Sequence, residues 1–323
     1  MRGRRLNIRW YGVAAAVVAG CTPIVAPPGG SGTPRPVTST APMIAGCPTF
    51  PSDNAWNQDV SKLALRSDSA AIIANIQSAG GKFLHADFGG GGVYGIPYKI
   101  VSASQPKVPV RFVAYGDESD PGPYPMPATT PVEGGAASSG DRHAIVVQRG
   151  TCRIYELYRA FWRGGHWDAD SGAVWNLASN ELRPLGWTSA DAAGLPILPG
   201  LVRLDEVNAG AIRHAVRVTF SQTRRGYVLP ATHFASSSTD ATRPAMGMRL
   251  RMKANFDISK LRGQSKVIAV AMKRYGIIVA DNGSNWFITG TAEPGWDDND
   301  LNQLKSIPGT AFEVVNTGAV RTG

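Results

Sequence analysis

A chain of 323 residues with 43% hydrophobic residues is long enough for one large domain or two small ones and can bury a sizeable core. Its 37 Gly and 23 Pro favour a turn-rich, β-dominated chain over a helical one. The formal charge of +9 includes Arg2, Arg4, Arg5 and Arg9 of the leader, leaving +5 without those four; with no Lys/Arg run in the chain, this argues against nucleic acid and points only weakly to an anionic partner.

The basic start and the apolar run Trp10–Ala19 read as an export signal, too short for a permanent membrane span. Val18-Ala19-Gly20-Cys21 resembles a bacterial lipobox, in which Cys21 becomes the lipidated first residue of the mature chain. The bland alternative is ordinary cleavage with Cys21 incidental. Thr22 in place of Asp points, by analogy with Gram-negative sorting, away from inner-membrane retention and towards the outer membrane, periplasm or cell surface. Residues 1–21 are thus the signal and 22–46 a Pro/Gly/Ser/Thr-rich tether with Arg35 as its only charge. A single β-rich domain is expected over 47–317, with a tail at 318–323. Cys47 and Cys152 remain after Cys21, and in an oxidising compartment the expectation is a disulfide between them.

Along the domain, Pro51–Asn57 is a loop around Trp56, and Ser69–Ser78 an amphipathic helix stopped by Gly80-Gly81. Gly89–Gly92 matches no phosphate loop, because no Lys-Ser/Thr follows. Ile96–Ser102 and Val108–Tyr115 read as strands. Gly116–Gly140 is a long polar loop, of the kind that is functional or disordered; its Asp117, Glu118 and Asp120 lack EF-hand spacing and read as a solvated acidic loop. Asp141–Trp162 reads as two strands around a Gly150-Thr151 turn. A loop Arg163–Asp170, a strand Gly172–Leu177 and a helical turn Thr188–Ala193 follow. Gly194–Gly200, stiff and apolar, is expected to cross beneath the sheet. Ala211–Phe220 alternates, with Ile212, His214, Val216, Val218 and Phe220 on a buried face and Arg213, Arg217 and Thr219 on a wet one. Met246–Lys253 alternates likewise. Ser265–Tyr275 reads as a helix, Ile277–Ala280 and Trp286–Thr289 as a hairpin around Asp281-Asn-Gly-Ser284, Asp300–Ser306 as a helix and Phe312–Val315 as a strand. The fold class expected is mainly β, an antiparallel, jelly-roll-like β-sandwich with a few short helices.

The Gly150-Thr151 turn sets Val147 opposite Ile154, Ile145 opposite Glu156 and His143 opposite Tyr158. Alternation then gives an imidazole, a carboxylate and a phenol one sheet face. The candidate catalytic set is His143, Glu156, Tyr158 and His214, with Asp141 and Arg142 beside them. A lone such His is more often a hydrogen-bonded core residue. Three readings compete. Glu156 with a second acid (Asp141, Asp168 or Asp205) makes a glycosidase pair. His143 or Tyr158 as base, with Arg142 or Arg159 against a uronate carboxylate, makes a lyase. His143, Glu156 and His214 around a metal is the weakest, since the spacing matches no familiar metal motif; no cofactor is expected. Trp56, Trp162, Trp167, Trp175, Trp187 and Trp296 lie in or beside loops or at strand ends, where exposed rings would stack on sugars; burial in the core is the ordinary fate of Trp.

The phrases DNAWN, SQPKVPV, ESDPGPYP, SSGDRH, YELY, SGAVW, LRPLGWTSADAAGLPILPGLVR, RHAVR and YGIIVADNGSNW are similar to a family of secreted proteins from soil bacteria, over almost everything from Cys47 to about Val315. The resemblance implies an exported whole-domain protein and no mechanism. The function expected is a monomeric envelope lipoprotein that cleaves polysaccharide as a hydrolase or uronate lyase, or, alternatively, a non-catalytic glycan-binding or structural lipoprotein on the same fold.

Overall fold

The computed structural model describes residues 41–322. The leader, Cys21 and most of the tether lie outside the described residues. The structured chain starts before Cys47: Ala41 and Ile44 are buried, and Met43–Ile44 pairs with Cys47–Pro48. At the other end Arg321 exchanges backbone hydrogen bonds with Tyr227, so the last described residues pack on the domain.

The central hairpin has the register its turn implies. Strands Ala144–Gln148 and Arg153–Tyr158 pair antiparallel, with Val147 opposite Ile154 and Ile145 opposite Glu156. Gly150 and Cys152 both have positive φ, so Cys152 belongs to the turn. Cys47 and Cys152 form a disulfide with Cα atoms 5.3 Å apart, which pins the start of the domain to this turn. Ser171–Asn176 adds antiparallel to one edge of the hairpin and Tyr98–Val101 adds parallel to the other. Alternation sends Ile145, Val147 and Ile154 into the main core and Ala144, Val146, Tyr155 and Leu157 into a second one. The second core is completed by Tyr124 and Met126 of the long loop and by Trp167. Both hairpin faces are therefore covered, which explains its nearly unbroken apolar run.

A six-stranded sheet lies in the order Phe312–Val314, Arg249–Met252, Ile277–Asn282, Val216–Phe220, Phe287–Thr289, His85–Asp87. Val216–Phe220 runs parallel to Ile277–Asn282 and antiparallel to Phe287–Thr289. The expected hairpin around Asp281–Ser284 is thus absent: the two strands flank a third, and the four residues cross its end. There the Gly283 N–H donates to the Phe220 carbonyl (3.1 Å) and the Thr219 hydroxyl to the Ser284 carbonyl (2.7 Å). Further parallel pairs join Phe287–Thr289 to His85–Asp87 and Val110–Phe112 to Trp167–Ala169. The protein is mainly β, but its sheets are mixed, and the uniformly antiparallel pairing expected of them does not hold.

Helix Ser69–Ser78 stands where the Ile72, Ile73, Ile76 stripe places it, and Gly263–Arg274 lies close to its expected bounds. Thr188–Ala193 is not helical. It is a bent segment in which the Ser189 hydroxyl donates to the Leu195 and Asp191 carbonyls, a side-chain competition with helix that Ser and Thr often win. Gly194–Gly200 is buried throughout, as its composition implies. The Gly116–Gly140 loop is no solvated acidic run: the Arg183 guanidinium donates to Asp120 (2.5 Å) and to the Glu118 carbonyl (2.7 Å).

Candidate functional site

A β-bulge builds the site. Val216 pairs with Ile277, Arg217 with Ile278 and Val218 with Val279, but Thr219 pairs with Asp281, leaving Ala280 as an extra residue. Paired residues share a face. Simple alternation would put Asp281 with Ile277 and Val279 in the core; the bulge turns it to the face of Arg217 and Thr219. Phe287 is opposite Thr219, and Thr289 opposite Asp87, so Thr289 and Asp87 reach the same face. The Arg217 face, expected to be wet, is instead the covered floor of a cleft.

The cleft has two adjoining parts, of about 310 and 190 Å³, that share Asp141, Asp281 and Asn282. The larger is walled by Tyr115, Tyr158, His233 and the Thr188–Ala192 segment. The smaller holds Asp87, Glu133, His143 and Arg217. Two ion pairs form the floor. Arg217 is bidentate to Asp191, with Nη2–Oδ1 at 2.7 Å and Nε–Oδ2 at 3.2 Å, and its Nη1 donates to Thr289 at 2.8 Å. Burial opposes the guanidinium charge, but Asp191 outweighs it and the pKa is raised. His143 Nδ1 meets Glu133 at 2.6 Å, and Nε2 lies 3.1 Å from the Ala190 carbonyl. A carbonyl only accepts, so Nε2 carries a proton, and the carboxylate on Nδ1 favours a second. Burial opposes that charge, yet the Glu133 hydrogen bond and charge raise the His143 pKa overall. Glu133 is lowered in turn, burial notwithstanding, by its His143 partner.

Asp281 has no cationic partner among the described residues. Burial, then the negative Asp191, pushes its carboxyl up to about 7, against the pull of Arg217 and the Asn282 N–H. It stays half-buried at the cleft wall, while Asp141 is exposed there. A carboxyl with its pKa pushed up to about 7 thus shares one cleft with the exposed side chain of Asp141. His233 Nδ1 bonds the Ala192 carbonyl at 2.7 Å, so that nitrogen is the donor.

The structure gathers three of the six expected residues at this cleft and sends three elsewhere. Tyr158 and Asp141 line it, and His143 forms its floor, its ring centroid 5.6 Å from that of Tyr158. Glu156 shares their sheet face but is fully buried and lines neither part. Its carboxyl accepts from the Ile197 N–H at 3.0 Å and the Leu198 N–H at 2.9 Å, which ties Gly194–Gly200 to the hairpin. Burial pushes its pKa up to about 7 in spite of those donors. His214 sits outside its expected strand, which starts at Val216, and pairs with Glu206 at 2.9 Å, itself bound by Arg203; it shares no hydrogen-bond partner with His143. Arg142 does not reach the cleft: its guanidinium donates to the carbonyls of Ala160, Ala136 and Ser138. Of the alternative acids, Asp168 pairs with Arg111 and Arg163, and Asp205 with Arg203. Arg159 pairs with Asp170. Trp56, Trp167, Trp175 and Trp296 are core residues, and only Trp162 and Trp187 of the six stay half-exposed.

Asp281, Asp191, Arg217 and Glu133 were hidden from sequence reading. Asp281-Asn-Gly is also turn chemistry, Arg217 alternates as a solvent residue, and Glu133 lies in a loop without periodicity. Among the described residues no cluster of three or more His, Cys, Asp or Glu has metal-holding geometry, and no helix is long and apolar enough to cross a membrane. Comparison with family models, curated proteins and solved structures gives no match.

Proposed function

We propose that this chain is an exported envelope lipoprotein that hydrolyses a polysaccharide, with Asp281 giving its proton to the leaving glycosidic oxygen and Asp141 as the second carboxylate. The observation that carries this reading is the place of Asp281, half-buried without a cationic partner among the described residues on the wall of an open cleft that also bears Asp141, with its carboxyl pushed up to about 7. Glycoside hydrolysis uses such a pair, one carboxylic acid and one carboxylate flanking the bond. Asp141 then either deprotonates the attacking water or attacks the anomeric carbon itself. Tyr115, which is 49% exposed, and Tyr158 offer flat apolar faces for a sugar ring.

The charges favour hydrolysis over uronate elimination. A lyase needs a cation to neutralise the uronate carboxylate, but Arg217 is spent on Asp191, His143 on Glu133 and Arg159 on Asp170. The acidic residues of the cleft other than the proton donor, Asp87 and Asp141, have no cationic partner among the described residues and disfavour an acidic sugar at the point of cleavage. The sugar cut there is uncharged. Envelope tethering rests on the Cys21 junction and the spacer after it.

The test is to incubate the purified chain with neutral and uronate-containing polysaccharides and follow reducing ends and the absorbance of unsaturated sugar. We expect reducing ends without the absorbance, and an Asp281→Asn variant slower by roughly 10²–10⁴-fold, the usual contribution of a general acid. Retention of a glycan without product would leave a binding protein in its place.

A further inference from the structure

A separate cavity of about 560 Å³ is lined by Arg142, Phe161, Trp162, Arg163 and the Thr129–Val132 segment, with no carboxylate on its wall. Arg142 is 5% exposed. Nε and Nη1 donate to backbone carbonyls, Nη2 has no hydrogen-bond partner among the described residues, and no carboxylate pairs with the group. Its guanidinium carbon stands 4.2 Å from the Phe161 ring centre, and that of Arg163 stands 5.2 Å from the same centre. Arg163 adds a second positive charge beside it and is itself poorly neutralised, because it shares the single carboxylate of Asp168 with Arg111 and His166. A buried cation facing a cleft without an acid is costly, and an incoming anion removes that cost. Arg142 also sits at φ 53, a left-handed conformation uncommon for a residue with a side chain, at the point where the chain turns Asp141 to one cleft and Arg142 to the other.

Two further observations narrow the ligand. Trp162 is half-exposed, its ring held 5.4 Å from Trp167 at a steep angle, so it is a fixed flat surface. A neighbouring cavity of about 420 Å³ meets this one at Pro131, Val132 and Gly135, which makes a groove longer than a single small anion needs. We propose that this groove binds an acidic polysaccharide, a uronate carboxylate resting on Arg142 and Arg163 and its sugar ring on Trp162. The site lies apart from Asp281 and does not depend on cleavage there. A mixed polymer held by its acidic sugars in this groove and cut at an uncharged one in the Asp281 cleft satisfies both.

Calorimetry on the full chain carrying Asp281→Asn, which leaves ligand unconsumed, tests it with oligogalacturonate and a neutral glucan oligosaccharide of equal length. We expect oligogalacturonate to bind, more weakly as salt rises, and the neutral chain to bind at least about tenfold less tightly. Arg163→Ala and Trp162→Ala are each expected to weaken binding by about tenfold or more while the chain stays folded at the assay temperature, with a lower thermal midpoint only for Trp162→Ala, whose ring also packs on the second core. Arg142→Gln is expected to weaken it further; should that variant fail to fold, the two surface variants still decide. No binding of oligogalacturonate, equal binding of the neutral chain, or binding untouched by both surface variants would each overturn the proposal.

Discussion

Glu156 and Asp281 are two carboxyls raised to about the same value by burial, and they differ in what surrounds them. Glu156 is enclosed and satisfied by two backbone N–H groups, so its work is to hold a buried segment. Truncation in Glu156→Ala leaves both donors unpaired, and we predict a loss of roughly 2–6 kcal/mol of unfolding free energy in urea titrations, at about 1–3 per stranded group. Asp281 opens onto a cleft and is free to react. Both groups bind protons more tightly in the folded state than at their ordinary values of 4.5 and 3.8. Their contribution to stability therefore grows as pH falls from about 7 towards those values and is lost as pH rises through 7. We predict that Asp281→Asn flattens part of that slope and raises the thermal midpoint more at pH 8 than at pH 5. The His143–Glu133 pair has the opposite limits. His143 is raised from 6.5, so its contribution is full below 6.5 and is lost as pH rises through the higher folded value; Glu133 is lowered from 4.5, so its share is present above 4.5 and lost in acid. The pair is worth most between about 4.5 and 6.5, and Glu133→Gln should lose most stability, by urea unfolding, in that window.

At the scale of elements, the hairpin shows how much a turn and an alternation convey. The Gly150-Thr151 signal sets the register, and the register delivers Ile145 and Glu156 to one face, with the His143 and Tyr158 rings meeting just past its end. The Val216–Phe220 sheet shows where that reasoning stops. Ile277, Val279 and Asp281 alternate as one face in sequence, and only the Ala280 bulge, which has no local signature, separates Asp281 from the other two. Parallel pairing is equally silent, because its partners are far apart in the chain and joined by no tight turn. The pairing of Cys47 with Cys152 was legible because the expectation of export, with Cys21 assigned to the leader, leaves two thiols few alternatives. The bond spans 105 positions of sequence, and a loop that long restrains the unfolded chain strongly. We predict that reduction, or Cys47→Ser with Cys152→Ser, lowers stability by roughly 2–5 kcal/mol, measured by denaturant unfolding with and without reductant.

For the whole molecule, the hairpin sheet is a middle layer with a core on each face, and the cleft opens where it meets the six-stranded sheet. The long Gly116–Gly140 loop takes part in both: Tyr124 and Met126 fill the second core, and Glu133 clamps His143. Sequence reading marked that loop as functional or disordered by its length, but its partners are set by tertiary packing alone. We further predict that Cys21→Ser moves the protein out of the membrane fraction or leaves it unprocessed, by fractionation and intact mass; unchanged fractionation and mass would remove the envelope tether from the account. The central claim, hydrolysis at Asp281 and Asp141, has one direct test, which is digestion of a susceptible polysaccharide in water enriched in heavy oxygen, followed by mass spectrometry of the fragments. The account predicts one heavy oxygen at each new reducing end, and its loss with Asp281→Asn; fragments ending in unsaturated sugar without heavy oxygen would contradict it.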